Sequence, residues 1–245
     1  MNALRPAPPS SVAAALKEVA DLGSFFAVEL GGPVGSGGPG DPDGGSHPGD
    51  GWHPVEETYR RGAADLVAAT ADRYGTGELR IGASMVQLGH AARLWSPVLA
   101  CTVVHGIVPD LKGLRRADEG AALCLPATPT GWYAPGLPRL AELLYEVVVH
   151  RHLDALAAGL HVKVAPRLLA GNAASALAEA GRAILAAHPD LRRPLTEVVD
   201  GLLSTDRLAG TGNFTAPDLS FRRRSCCLYY RVPAGVKCED CSLAR

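Results

Sequence analysis

Arg139-Leu-Ala-Glu-Leu-Leu-Tyr-Glu-Val-Val-Val-His150-Arg-His-Leu-Asp-Ala-Leu-Ala-Ala-Gly-Leu160 is the longest uninterrupted helical pattern in a chain of 245 residues. Leu140, Leu143, Leu144, Val147, Val148 and Leu156 recur at the spacing that puts them on one side of a helix. Composition points the same way. Apolar residues make up 47% of the chain but only 13 residues are aromatic, so the apolar fraction rests on Ala, Leu and Val, with Ala at 39. Ala is the strongest helix former, and the chain reads as mainly α-helical.

Working outward toward the N-terminus, residues 123–133 are punctuated by Thr and Pro and read as one or two short strands. Residues 98–108 form a short buried element that periodicity assigns to neither helix nor strand. A helix is predicted over 84–95, with Met85, Leu88, Ala92 and Trp95 on its apolar side and Pro97 ending it. Another is predicted over 54–74, with Tyr59, Ala63, Leu66, Val67 and Thr70 on one face and Gly75 and Gly77 stopping it. Residues 31–51 hold ten Gly and four Pro, too little apolar surface to offset the entropy of ordering, so 31–53 reads as a flexible linker. Before it, residues 10–30 read as a helix capped by Ser10 or Ser11, with Val12, Leu16, Val19, Leu22 and Phe26 as its stripe.

Toward the C-terminus, a helix is predicted from Asn172, a good N-cap, to about His188, and a short amphipathic one over 195–203. No internal repeat is visible. The expected organisation is an N-terminal helical segment (1–30), the linker (31–53), a mainly helical region (54–220) and a C-terminal segment of different character (221–245). The fold class is α+β: a mainly α-helical single domain with a few short strands, ending in a cysteine-rich metal-binding hairpin.

Charge excludes some partners. The formal net charge is −1, with a pI near 6.7, which removes the signature of a general nucleic-acid or membrane-surface binder. No stretch is long and apolar enough for a membrane span, and the N-terminus lacks the apolar run of a signal peptide. A cytoplasmic location is therefore expected, where the six cysteines are thiols or metal ligands rather than disulfides.

Four of those six fall within 16 positions as Cys226-Cys227-x10-Cys238-x2-Cys241. The Cys-x2-Cys pair brings two thiolates to one metal centre, and Pro233-Ala234-Gly235 lets the chain fold back between the pairs. Adjacent residues on an extended strand point to opposite faces, so both Cys226 and Cys227 reach one centre only where the backbone bends. A two-iron core accommodates that better than a single tetrahedral ion. A four-cysteine zinc site is the alternative, although zinc ribbons present two Cys-x2-Cys knuckles, and unmetallated or disulfide-paired thiols are a third reading. The spacing matches neither the plant-type nor the bacterial ferredoxin pattern.

The block Arg-Arg-Ser-Cys226-Cys227-Leu-Tyr-Tyr-Arg followed by Cys238-x2-Cys241 resembles the FhuF-like ferric siderophore reductases. The resemblance extends to Ala92-Arg93-Leu94-Trp95-Ser96-Pro97 and Gly171-Asn172-Ala173-Ala174-Ser175-Ala176-Leu177. It implies a cytoplasmic oxidoreductase in which Cys226, Cys227, Cys238 and Cys241 bind a 2Fe-2S cluster. That cluster passes one electron to siderophore-bound Fe(III), whose hard oxygen ligands hold Fe(II) far less tightly. With no Gly-x-Gly-x-x-Gly motif after a predicted strand, the electron donor is expected to be a ferredoxin-like protein or a reduced cofactor.

Arg93, Arg224 and Arg231 are the candidate contacts to an anionic chelate; each also reads as an ion-pair partner or solvated charge. Cys101 and Cys124 read as buried structural thiols, and Trp95 and Trp132 as core. His150 and His152, two apart on a helix, point in different directions, and His90 and His105 read as satisfied histidines rather than ligands. The rival function is a non-catalytic zinc- or iron-sulfur-binding regulatory protein.

Overall fold

Two long helices set the architecture, and the computed structural model describes residues 4–31 and 51–244 around them. Helix α4 (Leu79–His105) runs through the centre, packed along α7 (Pro166–Ala187) on one side, with α1 (Pro9–Val19) and α3 (Ala64–Arg73) on others. Ala83, Ala91, Leu94, Trp95, Val98 and Leu99 of α4 are almost completely buried. The face of α7 that meets it is built from Ala173, Ala174, Ala176, Leu177 and Ala180, small residues that let two helix backbones come close. Each fully buried leucine here contributes about 1.5–3 kcal/mol.

That packing explains where the structure departs from the sequence expectations. Helix α4 does not stop at Pro97 but continues to His105. From Ala91 onward its flanks are enclosed by other elements, and a helix buried all round is held by tertiary contacts that outweigh the hydrogen bond lost at an internal proline. Nor does α7 begin at Asn172: it starts at Pro166, whose missing N–H costs nothing at the first turn. The predicted helix over 54–74 is divided into α2 (Val55–Arg60) and α3, because Gly62 and Ala63 adopt left-handed φ between them. At the N-terminus α1 is entered from Pro8, not Ser10 or Ser11, and ends at Val19.

The 139–160 pattern is helical throughout but not uniformly α. It is α5 (Arg139–Tyr145), a π-helical stretch (Glu146–Leu153) and α6 (Asp154–Gly159). The widening starts at the run Val147-Val148-Val149, β-branched residues of low helix propensity, all of which are buried. Helix α8 (Arg192–Leu203) packs on α5 and α7 through Leu195, Val198, Val199 and Leu202.

Among the described residues eight short strands complete the fold. β1 (Glu29–Leu30), β5 (Leu123–Leu125), β4 (Arg115–Ala117) and β2 (Trp52–Pro54) form one sheet in the order β1-β5-β4-β2, with only the β1–β5 pair parallel. The Gly/Pro-rich segment thus joins the two edge strands of this sheet. Its residues 32–50 lie outside the described residues, while Trp52 and His53, assigned to the linker from sequence, are strand residues. β3 (Ile107–Pro109) pairs with β6 (Gly131–Tyr133), and β7 (Gly212–Phe214) with β8 (Phe221–Arg223), both antiparallel. No described helix is long and apolar enough to cross a membrane.

Candidate metal centre

Strand β8 delivers the chain into the cysteine segment, and three hydrogen bonds hold that segment, one within itself, one to the loop before β7 and one to helix α4. The Arg223 amide donates to the Asp240 carbonyl at 3.0 Å, closing the segment on itself. The Arg224 amide donates to the Thr211 carbonyl at 2.7 Å. The Ser84 hydroxyl, on α4, donates to the Cys227 carbonyl at 2.7 Å. Beneath the segment Asn172 is completely buried and is not a helix cap. Its amide donates to the Ser84 carbonyl at 2.9 Å, and its oxygen accepts from Nη2 of Arg223. Gly171 precedes it because a Cβ there would collide with the Ser225 hydroxyl. The resemblance over 171–177 therefore has a physical basis: a glycine and an amide that seat the cysteine segment on α7.

The four thiols lie in one short segment, closed on itself by the bond between Arg223 and Asp240. Cys227 and Cys241 are buried, Cys226 and Cys238 half-buried. One sulfur from each doublet meets: Cys227 and Cys238 have Sγ atoms 3.7 Å apart. Metal–thiolate bonds of about 2.3 Å in a tetrahedron put two sulfurs roughly 3.8 Å apart, so this pair has the spacing of ligands sharing one metal atom. Backbone amides already point at the other two sulfurs, Leu228 N at Cys226 (3.3 Å) and Leu243 N at Cys241 (3.4 Å). Leu228 reaches that position through a left-handed φ of 73°, which turns the chain immediately after the Cys226-Cys227 pair. Burial pushes the Cys226 thiol up. Burial together with the Asp240 carboxylate pushes Cys238 up strongly, so metal loading displaces protons.

Whether these residues fit a 2Fe-2S cluster is tested by what surrounds them. Arg223 is 1% exposed, and its Nε and Nη1 have no hydrogen-bond partner; the Asp240 carboxylate stands 4.0 Å from Nη1 and is engaged by Ser175 instead. The Ser225 hydroxyl is likewise enclosed without a partner. A buried guanidinium short of partners costs several kcal/mol unless an anion offsets it, and a thiolate-ligated cluster is anionic. Among the described residues no three His, Cys, Asp or Glu side chains converge on one point, and the sulfur pair at ligand spacing is Cys227–Cys238. Four thiols beside a buried cation fit the chemistry of an anionic two-iron group.

Beside the cysteine segment lies a groove of about 1320 Å³. It runs from Phe25, Arg73 and Arg93 to Arg222, Glu239 and Asp240, the last two inside the Cys238-x2-Cys241 loop. Arg73 and Arg93 have no carboxylate partner among the described residues. Arg93 donates to the Gly89 carbonyl at 3.0 Å and stacks over Phe25, while burial and then the charge of Arg73 lower its pKa. The structure does not bring the three arginines picked from sequence together. Only Arg93 lines the groove; Arg224 lines a smaller cavity with Arg167 and Arg207, and Arg231 pairs with Glu78 at 3.1 Å. Cys101, Cys124 and Trp95 are buried in the core as expected.

Sequence reasoning missed Arg73, Tyr59 and His90 in the groove wall, and Ser84, Asn172 and Arg223 beneath the cysteines. For Asn172 a signal existed, a lone amide in a run of Gly and Ala. His150, exposed, pairs with Asp154 at 3.1 Å, whereas His152 is buried, so the two do point apart.

Residues 223–243 match the family model described as the FhuF 2Fe-2S C-terminal domain. The segment is thus a 2Fe-2S-binding one, with Cys226, Cys227, Cys238 and Cys241 as the cysteines it contains. No curated protein and no solved structure matches the chain.

Proposed function

We propose that this protein is a cytoplasmic ferric-siderophore reductase, which binds an iron(III) chelate in the groove and releases Fe(II). One observation supports the reading above others: a groove whose wall holds Arg73 and Arg93, neither with a carboxylate partner among the described residues, reaches the loop that carries Cys238 and Cys241. Its volume exceeds the roughly 300–1,000 Å³ of ordinary small-molecule pockets, as a bulky chelate requires. Arg73 and Arg93 repel each other when the groove holds only water; an anionic hydroxamate or catecholate chelate between them removes that repulsion. Phe25 and Tyr74 supply flat apolar surface beside the two guanidiniums.

When bound, the 2Fe-2S cluster supplies single electrons. The chain's own residues hold the four sulfurs, point two amide N–H groups at them and set a buried cation beside them, all of which favour added negative charge there. The electron donor is a separate protein or a reduced cofactor.

The test is a single turnover. Protein purified and reduced without oxygen is mixed with a ferric hydroxamate in the presence of an Fe(II)-specific dye. The expected result is return of the oxidised cluster spectrum with matching formation of the Fe(II)–dye complex. A reduced cluster that persists in excess ferric chelate overturns the assignment.

A further inference from the structure

Three polar side chains, Tyr59 and His152 buried and His90 half-buried, meet at the wall of the groove, and the seating of the cysteine segment uses none of them. The Tyr59 hydroxyl is 2.7 Å from Nε2 of His90 and 3.0 Å from Nδ1 of His152. They come from three elements: Tyr59 from α2, His90 from α4, and His152 from the π-helical stretch. Tyr59 and His152 are each 4% exposed, and Tyr59 and His90 line the groove. α2 is held against α6 at this point because Gly159 has no Cβ, which would strike the Tyr59 carbonyl.

Connectivity distinguishes this cluster from a satisfied core. A hydroxyl has one proton to give, so Tyr59 donates to one imidazole and accepts from the other, and the three groups form a single chain. Burial holds both rings neutral, His90 with a pKa lowered to about 3 and His152 to about 4. Arg93 and Arg116 act on His90 in the same direction, as does Arg151 on His152. A neutral imidazole donates at one nitrogen and accepts at the other, which an imidazolium cannot do. Neither ring has an enclosed nitrogen without a partner, so Nδ1 of His90, on a ring that lines the groove, is left to the groove. π-helical turns are rare and concentrate at functional sites.

We infer that His152, Tyr59 and His90 form a proton relay that opens into the groove and protonates a donor oxygen of the chelate as iron leaves. The inference rests on the reductase reading. Once the iron is Fe(II), the Fe–O bond to a hydroxamate oxygen breaks and that oxygen takes the proton of His90 Nδ1. The Tyr59 hydroxyl proton moves to His90 Nε2, the His152 Nδ1 proton moves to the Tyr59 oxygen, and a proton from water enters at His152 Nε2. One proton passes from solvent to the chelate and all three groups end neutral, with both imidazoles in the other tautomer. No electron moves in this step.

The experiment follows two signals in the full-length, cluster-loaded protein: reoxidation of the reduced cluster by a ferric hydroxamate, and capture of Fe(II) by a chromogenic dye. Tyr59→Phe cuts the relay in the middle. His90→Gln keeps a hydrogen bond to Tyr59 but has no ring nitrogens to exchange a proton. In both variants reoxidation and binding of the redox-inert gallium(III) hydroxamate are measured alongside, and Fe(II) capture is read relative to them. Fe(II) capture slows at least tenfold and loses its solvent deuterium isotope effect, as removal of a general acid predicts. In His90→Ala, added imidazole restores capture. Capture at the wild-type rate in both Tyr59→Phe and His90→Gln overturns the relay and leaves the reductase standing. Failure of the ferric hydroxamate to reoxidise even the wild-type cluster overturns the reductase and takes the relay with it.

Discussion

The cysteine segment and the groove wall lie next to each other and reveal themselves in opposite ways. In the segment, four ligands fall within 16 consecutive positions, so their proximity is written in the chain itself. In the groove wall Tyr59, His90 and His152 come from three separate helical elements and meet only through packing. The first kind of site is legible as a spacing; the second exists only once the fold does. They also differ in charge. The segment encloses a cation short of partners, Arg223, whereas the wall encloses two imidazoles that burial keeps neutral.

The sharpest test of that contrast compares cysteines. Cys227→Ser should abolish the visible absorption and the bound iron and sulfide, measured by spectrum and elemental analysis. Cys101→Ala, in the same chain, should retain both and lower stability by about 1–2 kcal/mol, because that thiol is buried in the core with its pKa pushed up to about 12. Loss of colour in Cys101→Ala would erase the distinction between ligand and packing cysteines.

Next in size is the attachment between the two regions. Asn172→Leu leaves the Arg223 guanidinium without its one neutral acceptor and the Ser84 carbonyl without its side-chain donor. A loss of about 2–4 kcal/mol is expected in denaturant unfolding of the loaded protein. A reduction potential that moves as well would show that the network also shapes the cluster's surroundings.

The pH dependence of stability probes the wall. His90 and His152 are neutral in the folded protein down to about pH 3 and 4, but take up protons near pH 6.5 once unfolded. The folded state therefore binds fewer protons below pH 6.5, and stability present above that value is lost as pH falls from 6.5 toward 4. A loss of about 4 kcal/mol by pH 5 is expected, about 2 from each histidine, or about 10 °C in melting temperature. In His152→Gln about half of this slope should vanish.

The smallest effect separates the arginines. Arg93→Ala should weaken gallium(III) hydroxamate binding by about tenfold, while Arg224→Ala and Arg231→Ala change it less than twofold, because neither lines the groove. Equal effects at all three would move the binding site out of the groove.

Legibility followed how local the determining physics is. The helices over 139–160 and 195–203, the short strands within 123–133 and the cysteine cluster depend on neighbours in sequence, and their signals were readable. The continuation of α4 through Pro97 and the start of α7 at Pro166 were not, since both depend on what packs alongside. Asn172 has the chemistry of a helix cap and of a buried hydrogen-bond bridge alike; only the arrival of Arg223 and Ser84 decides between them. Arg223 itself sits in a run of three arginines that reads as solvated charge, yet β8 turns Arg222 outward and Arg223 inward by simple strand alternation.

The widened stretch between Tyr145 and Asp154 works as a phase adaptor between the two α-helical halves of one long element. Each residue of an α-helix advances the spiral by about 100°. Returning the stretch to ordinary pitch at its present length would rotate α6 relative to α5 by roughly that angle while leaving the leucines of α5 seated. His152 would swing away from Tyr59, whereas tightening the pitch and removing one residue together would bring the two halves back toward their present phase.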